Sequence, residues 1–211
     1  MTVRWRIEHL GEVASTSDAV RERGRAGEAE GLVIVAVTQT AGRGRGEKGW
    51  VSPTGGLWFS LLLRPRLDAS DADLIARMVP VALHPVLDRY VPTKVKPPND
   101  LYTRGLKYGG VLVETELRSG RVVYAVVGVG INVNFERERL PAELAQTATT
   151  VLSETGRRHP LDTLMGELLG SLAEVYELLK RDPIEIADRY LALVAMFGER
   201  VGPAAPPGAA W

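Results

Sequence analysis

The sequence predicts an α+β fold, a mixed and largely antiparallel sheet with helices packed against it. Three observations predict it: two apolar β-branched runs, a valine-rich pair of segments around a polar turn, and one long stretch of helical apolar spacing. Residues 32–38 read Leu-Val-Ile-Val-Ala-Val-Thr and residues 57–63 read Leu-Trp-Phe-Ser-Leu-Leu-Leu. Both runs are apolar on each face, as buried central strands are. Residues 108–117 and 122–132 flank Arg118-Ser119-Gly120-Arg121, so the pair reads as an antiparallel hairpin. Leu161, Leu164, Leu168, Leu172, Val175 or Tyr176, and Leu179 recur along one helix face.

The other elements follow in chain order. Residues 7–13 mix apolar and polar side chains as a short strand does. Residues 14–18, Ala-Ser-Thr-Ser-Asp, are rich in helix N-cap types and precede a charged helix over 19–26, with Gly27 as its stop. Residues 74–90 have helical spacing, and Pro80 and Pro85 inside them predict a kink or a division. Pro183 suits the first turn of a last helix running to about Met196. From Gly198 to Trp211 the chain is rich in proline, glycine and alanine, which predicts a disordered tail (198–211) after one folded domain (1–197).

A chain of 211 residues can build one sizeable core. Its 26 Lys and Arg balance 26 Asp and Glu, which argues against broad attraction to nucleic acid or to a membrane surface. With no cysteine there is no disulfide framework, thiolate metal site or thiol nucleophile. His9, His84 and His159 are scattered, without the spacing of metal ligands or of a Ser-His-Asp triad. The first residues lack a signal peptide's apolar segment and no apolar run approaches membrane-spanning length, so a soluble cytoplasmic protein is expected.

Residues 39–50, Gln-Thr-Ala-Gly-Arg-Gly-Arg-Gly-Glu-Lys-Gly-Trp, carry the strongest functional signal. Small residues make the backbone permissive, while Arg43, Arg45 and Lys48 hang from it. This suits a loop that is mobile when empty and closes on an anion through arginine forks, with Trp50 as a plate over a ligand. A plain glycine-rich surface loop is the competing reading.

Four further segments are candidates. Ser15-Thr16-Ser17 is either a helix cap or a set of hydroxyls for a neutral polar ligand group. Val95-Lys96-Pro97-Pro98-Asn99-Asp100 is either a plain turn or a rigid mount for Lys96, Asn99 and Asp100, the lysine suiting phosphate and the carboxylate Mg²⁺. Lys107-Tyr108-Gly109-Gly110-Val111 sets a charge beside a close backbone approach. Gly128-Val129-Gly130-Ile131-Asn132 strips one strand face of side chains and makes a slot for a flat ligand. Gly42-x-Gly44-x-Gly46 lacks dinucleotide spacing, and there is no P-loop.

Taken together and in order, these motifs resemble those of the biotin protein ligases, from residue 7 to about residue 197. That family's pattern is a Ser-Thr-Asn start, Gly-Arg-Gly-Arg-x-Gly…Trp, Lys-Trp-Pro-Asn-Asp, Lys-x-x-Gly-Ile/Val-Leu-x-Glu and Gly-x-Gly-Ile-Asn. Lipoate ligases share the fold without the arginine loop. Ser17 stands here for asparagine, Pro97 for tryptophan, and Gly46 follows Arg45. The resemblance implies the biotin/lipoate ligase catalytic fold, akin to class II aminoacyl-tRNA synthetases. It also implies ATP-dependent activation of biotin as biotinyl-5′-AMP, with Mg²⁺, and transfer to a lysine of the biotin carboxyl carrier protein of a carboxylase.

By the same resemblance, Ser15, Thr16, Ser17 and Gln39 meet the biotin head group over Gly110 and Gly128. Arg43 and Arg45, with Gly42 and Gly44 in their loop, close on carboxylate and phosphate, and Lys107, beside Val111 and Gly110, is the central catalytic residue. Lys96, Asn99 and Asp100 serve ATP, Asp100 also serving the metal, and Trp50 and Asn132 support. Neither the N-terminal DNA-binding domain nor the C-terminal SH3-like barrel of longer members is expected in these residues. A catalytically impaired binding remnant is the alternative, and either a monomer or a homodimer fits.

Overall fold

A computed structural model describes residues 2–46 and 48–198. Its strands are β1 (Arg6–Val13), β2 (Leu32–Gln39), β3 (Leu57–Leu63), β4 (Lys94–Lys96), β5 (Asp100–Thr103), β6 (Leu106–Arg118) and β7 (Arg121–Ile131). They form a seven-stranded sheet in the order β1-β2-β3-β7-β6-β5-β4. The β1–β2 pair is parallel, because the helix α1 (Thr16–Arg25) crosses between them, and the remaining pairs are antiparallel. Ser119 and Gly120, both at positive φ, join β6 to β7, as a two-residue hairpin turn of the primed type requires. The mixed, largely antiparallel sheet expected from the sequence is therefore present.

Alternation along the strands divides the sheet into two faces. Val33, Phe59, Leu61, Val127 and Val129 point to the large core, which is covered by α2 (Asp73–Leu87), α5 (Leu161–Arg181) and α6 (Pro183–Gly198). On the opposite face Ile34, Leu62, Tyr124 and Val126 pack on Val20 of α1. Beyond α1 this second face continues into Trp58, Phe135 and Leu140. Between those two small clusters lies the region where a ligand can reach the sheet.

Two expectations are refined. The stretch with Pro80 and Pro85 is one undivided helix, α2. Each internal proline removes a backbone hydrogen bond, at a cost of about 3 kcal/mol. Burial of Ile75, Met78, Val79, Pro80, Leu83 and Leu87 on that helix against α5 and α6 offsets it. The 95–100 segment is more than a turn: β4 and β5 pair across it, with Lys96 opposite Asp100. The predicted tail beyond Gly198 lies outside the described residues. Among the described residues no helix is long and apolar enough to cross a membrane.

Candidate active site

Register builds the site. Ser60 on β3 pairs with Gly128 on β7, which pairs in turn with Leu112 on β6. One step along, Trp58, Gly130 and Gly110 are paired in the same way. Directly opposed residues share a face, so the glycines open a bare strip about 7 Å long at a strand's rise per residue. The space above it is already shaped: a Cβ on Gly128 would come within 2.6 Å of the Ser17 hydroxyl. One on Gly130 would come within 2.6 Å of the Trp50 indole nitrogen. Any side chain at either position would close the strip.

At the α1 end the polar groups form a chain. Thr16 and Ser17 each share a hydrogen bond with the Ser60 hydroxyl, at 2.7 and 3.0 Å. The Thr16 backbone N–H donates to Gln39 Oε1 at 2.8 Å, and the Thr16 hydroxyl donates to the same oxygen. Gln39 Nε2 donates in turn to the Ser52 hydroxyl at 2.8 Å. Ser15 stands at the helix N-cap position but makes no side-chain cap bond. The first turn of α1 is instead satisfied by Gln39 from the neighbouring strand. This leaves the three residues buried, with the Thr16 and Ser17 hydroxyls held by side chains rather than used up by their own helix.

The arginine loop folds back on itself. Arg43 bridges Gly49, Gly44 N–H donates to Lys48 O, and Trp50 N–H donates to Gly42 O at 2.8 Å. Gly42 is required there, since a Cβ would lie 2.4 Å from the Trp50 carbonyl oxygen. Trp50 then lies over Gly110 and Gly130, edge-on to Trp58 at 6.4 Å between ring centroids. Its indole N–H is buried without a partner among the described residues.

Charged groups gather on both sides of this plate. Lys107 Nζ lies 2.6 Å from Asp100 Oδ1 and 5.1 Å from the Trp50 ring centre. The Lys107 backbone is fixed by Thr147 and Thr149. On the other side Arg43 grips Glu114 with both terminal nitrogens and reaches Asp18 at 3.2 Å, while Arg21 meets the same two carboxylates. Burial opposes the charge on Glu114, but the hydrogen bonds from Arg43 and Arg21 hold its carboxyl below the usual carboxylate range. The bond to Glu114 also raises Arg43 above the ordinary guanidinium value. Arg45 and Lys48 are exposed, and Arg45 makes no ion pair among the described residues.

These elements enclose a cavity of about 410 Å³. Of the residues expected from the sequence, Ser15, Thr16, Ser17, Gln39, Arg43, Gly44, Arg45, Trp50, Asn99, Asp100, Lys107, Gly110, Val111, Gly128 and Asn132 border it. Gly42 belongs to the loop but does not border the cavity. Lys96 is exposed, with its ammonium 5.3 Å over the Tyr102 ring, and borders a second cavity of about 690 Å³ with Arg104 and Phe197. Asn99 and Asn132 have framework bonds: the Asn99 amide donates to Val111 O, and the Asn132 amide donates to Thr149 O at 3.0 Å. Sequence reasoning missed Ser60, Ser52, Asp18, Arg21, Leu140 and Leu144. Ser60 had a visible signal, as the one hydroxyl in the apolar run 57–63. Glu114 lay in a recognised motif without a role.

Residues 11–132, more than half of the chain, match the biotin/lipoate A/B protein ligase family. The chain is 34% identical to the bifunctional ligase/repressor BirA of Bacillus subtilis over 149 residues, 69% of this chain and 46% of that protein. It is 39% identical over 115 residues to biotin–protein ligase 2 of Arabidopsis thaliana, 51% of this chain and 34% of that one. It thus spans less than half the length of these curated relatives. The structure of the Aquifex aeolicus biotin protein ligase in complex with biotin and ATP matches with a TM-score of 0.68 at 30% identity, covering 83% of this chain and 72% of that chain. The family match takes in the hydroxyl chain, the arginine loop, Lys107 and the glycine strip, and this chain belongs to the biotin/lipoate A/B protein ligase family.

Proposed function

We propose that this chain carries the catalytic site of a cytoplasmic biotin–protein ligase, which activates biotin with ATP and passes it to a lysine of a biotin carboxyl carrier protein. One observation carries the reading. A bare glycine strip runs from a buried hydroxyl chain at one end to an ammonium–carboxylate pair at the other, under a tryptophan plate. A neutral ring system with a hydrogen-bonding head and a carboxylate tail fits that order of chemistry. The Aquifex relative with biotin and ATP bound supports it.

In the first step a biotin carboxylate oxygen bonds to the α-phosphorus of ATP, and pyrophosphate leaves. In the second, a carrier lysine amine bonds to the biotinyl carbonyl carbon, AMP leaves, and the amine loses a proton. Thr16, Ser17 and Ser60 orient the head group. Trp50 and the strip hold the rings flat. Lys107, kept in place by Asp100, sets a positive charge where carboxylate and phosphate meet, and Arg45 with Lys48 adds charge from the loop. Leu140 and Leu144 line the cavity and help exclude water from the mixed anhydride. Among the described residues there is no cluster of three metal-ligating side chains. One carboxylate, Asp100, suits a Mg²⁺ ion held chiefly by phosphate oxygens and water, and the ion would lower the phosphates' negative charge.

The test combines protein, biotin, MgATP and unmodified carrier, and follows pyrophosphate release together with the carrier's mass. Release that needs biotin, is not supported by lipoate, and accompanies one biotinyl adduct on the carrier is the expected result. Biotin binding by calorimetry with no pyrophosphate release would leave a binding module and overturn the ligase reading.

A further inference from the structure

Arg43 and Arg45 sit two residues apart in the same loop, yet their surroundings differ. Arg43 has its terminal nitrogens committed: both go to Glu114, and one also reaches Asp18. Arg21 completes the set by contacting the same two carboxylates. The four groups, two cations and two anions, come from α1, the arginine loop and β6. They tie together the three elements that wall the glycine strip. A bidentate guanidinium–carboxylate pair is among the stronger and more directional polar contacts available. Turning Arg43 toward a substrate anion would break it and leave half-buried Glu114 with Arg21 alone.

We infer that Glu114 is a positioning residue. Through Arg43 it fastens the arginine loop, and with it the Trp50 plate, over the glycine strip, leaving Arg45 and Lys48 to meet the anion. This rests on the proposed biotin site. The link from tether to plate is short: Arg43 bridges Gly49, and Trp50 N–H bonds to Gly42 O on the far side of Arg43. A released Arg43 therefore releases the cover of the strip. The fastening governs how well biotin is held. It leaves the chemistry at Lys107 unchanged once biotin is bound.

The test uses Glu114→Gln, with Arg21→Gln as a milder second variant that leaves the Arg43–Glu114 pair in place. Two measurements are made: tryptic cleavage after Arg43 in the ligand-free folded protein, mapped by mass spectrometry, and the biotin dissociation constant beside the single-turnover rate at saturating biotin. In Glu114→Gln, cleavage after Arg43 should quicken and biotin binding weaken by about tenfold, the loss of a charge-assisted bond, with the saturated rate within about twofold. Arg21→Gln should move the same way by less. Unchanged cleavage overturns the inference. So does equal or tighter biotin binding, which would show Arg43 to be an anion ligand that Glu114 holds back. The cleavage measurement needs no biotin, so if the wild-type protein binds none, the proposed function fails separately from the fastening.

Discussion

The two ends of the cavity are built on opposite principles. At the α1 end, Ser15, Thr16 and Ser17 are 3%, 3% and 6% exposed, and Thr16 and Ser17 are bonded to Ser60 and Gln39 before any ligand arrives. At the loop end, Arg45 and Lys48 stand in solvent and Lys107 is about a third exposed, with Asp100 as its partner. A neutral polar group binds well only where donors and acceptors are already aimed and dry, since each misdirected buried one costs more than it returns. Charges can wait in water for an anion, because a buried unpaired cation would itself be destabilised. Under the proposed function, the contrast suits recognition at the first end and reaction at the second.

The sharpest break between the ends is Lys107→Ala. Losing the fixed ammonium should slow biotinyl-AMP formation by at least about 100-fold, the scale of a lost oxyanion donor. Biotin binding by calorimetry should change only a few-fold, and circular dichroism should show an intact fold. Single-turnover adenylation near the wild-type rate would remove Lys107 from the reaction. Lys96→Ala is the comparison. Its ammonium borders the second cavity, so biotin affinity should not move, and any effect should appear in the KM for ATP.

Gly128→Ala should damage the other end. The added methyl would lie 2.6 Å from the Ser17 hydroxyl, so α1 must shift or Ser17 must leave Ser60. Overpacking of this kind costs about 1–3 kcal/mol, or roughly five- to 150-fold in biotin affinity if it falls on the bound state. The saturated adenylation rate should stay within a few-fold. An unchanged biotin dissociation constant would show that the strip is not where biotin lies.

Ser60→Ala probes the same end more gently. It leaves both the Thr16 and Ser17 hydroxyls without a shared partner, which should lower stability by about 1 kcal/mol and biotin affinity several-fold. Denaturant unfolding and calorimetry measure the two separately. If stability falls and affinity does not, the hydroxyl chain is framework alone.

What the sequence disclosed follows the same division. The strands at 32–39 and 57–63, the hairpin and α5 were legible because their apolar pattern is local: β3 is buried throughout, β2 over Leu32 to Ala36, and α5 along one face. The site's glycines and basic residues were legible through motifs, which record which residues occur but not what they touch. Ser60 meets Thr16 across 44 residues of sequence, and Arg43 meets Glu114 across 71. Register alone brings such pairs together. Arg43 was expected to close on a ligand anion, and without one its partners are Glu114 and Asp18 of the protein itself. Lys96 was grouped with Asp100 by its motif, and the register sets the two opposite one another, while the Lys96 ammonium lies over the Tyr102 ring. In α2, local proline rules predicted a kink or a division, and burial of one helix face keeps the helix undivided.

The smallest expected effect separates the ends by pH. Glu114 has a folded-state carboxyl below its ordinary value of 4.5, against the opposing pull of burial, because Arg43 and Arg21 bond to it. A carboxyl depressed in this way contributes stability that is fully present above the unfolded value and lost as pH falls through the folded one. The fastening of the arginine loop should thus hold at neutral pH and weaken as pH drops below about 4.5. Asp18 and Arg21 of α1 belong to the Glu114 cluster, but the bonds that hold the Thr16 amide and hydroxyl run to Gln39 and Ser60, neither of which titrates. Hydrogen exchange, corrected for its intrinsic pH dependence, should show lost protection at the Gly44 and Trp50 amides on acidification. The Thr16 amide, held by Gln39, should keep its protection over the same range. In Glu114→Gln the acid step at Gly44 and Trp50 should be absent, because the titrating group is gone. If that step persists in the variant, Glu114 does not carry the pH response of the loop.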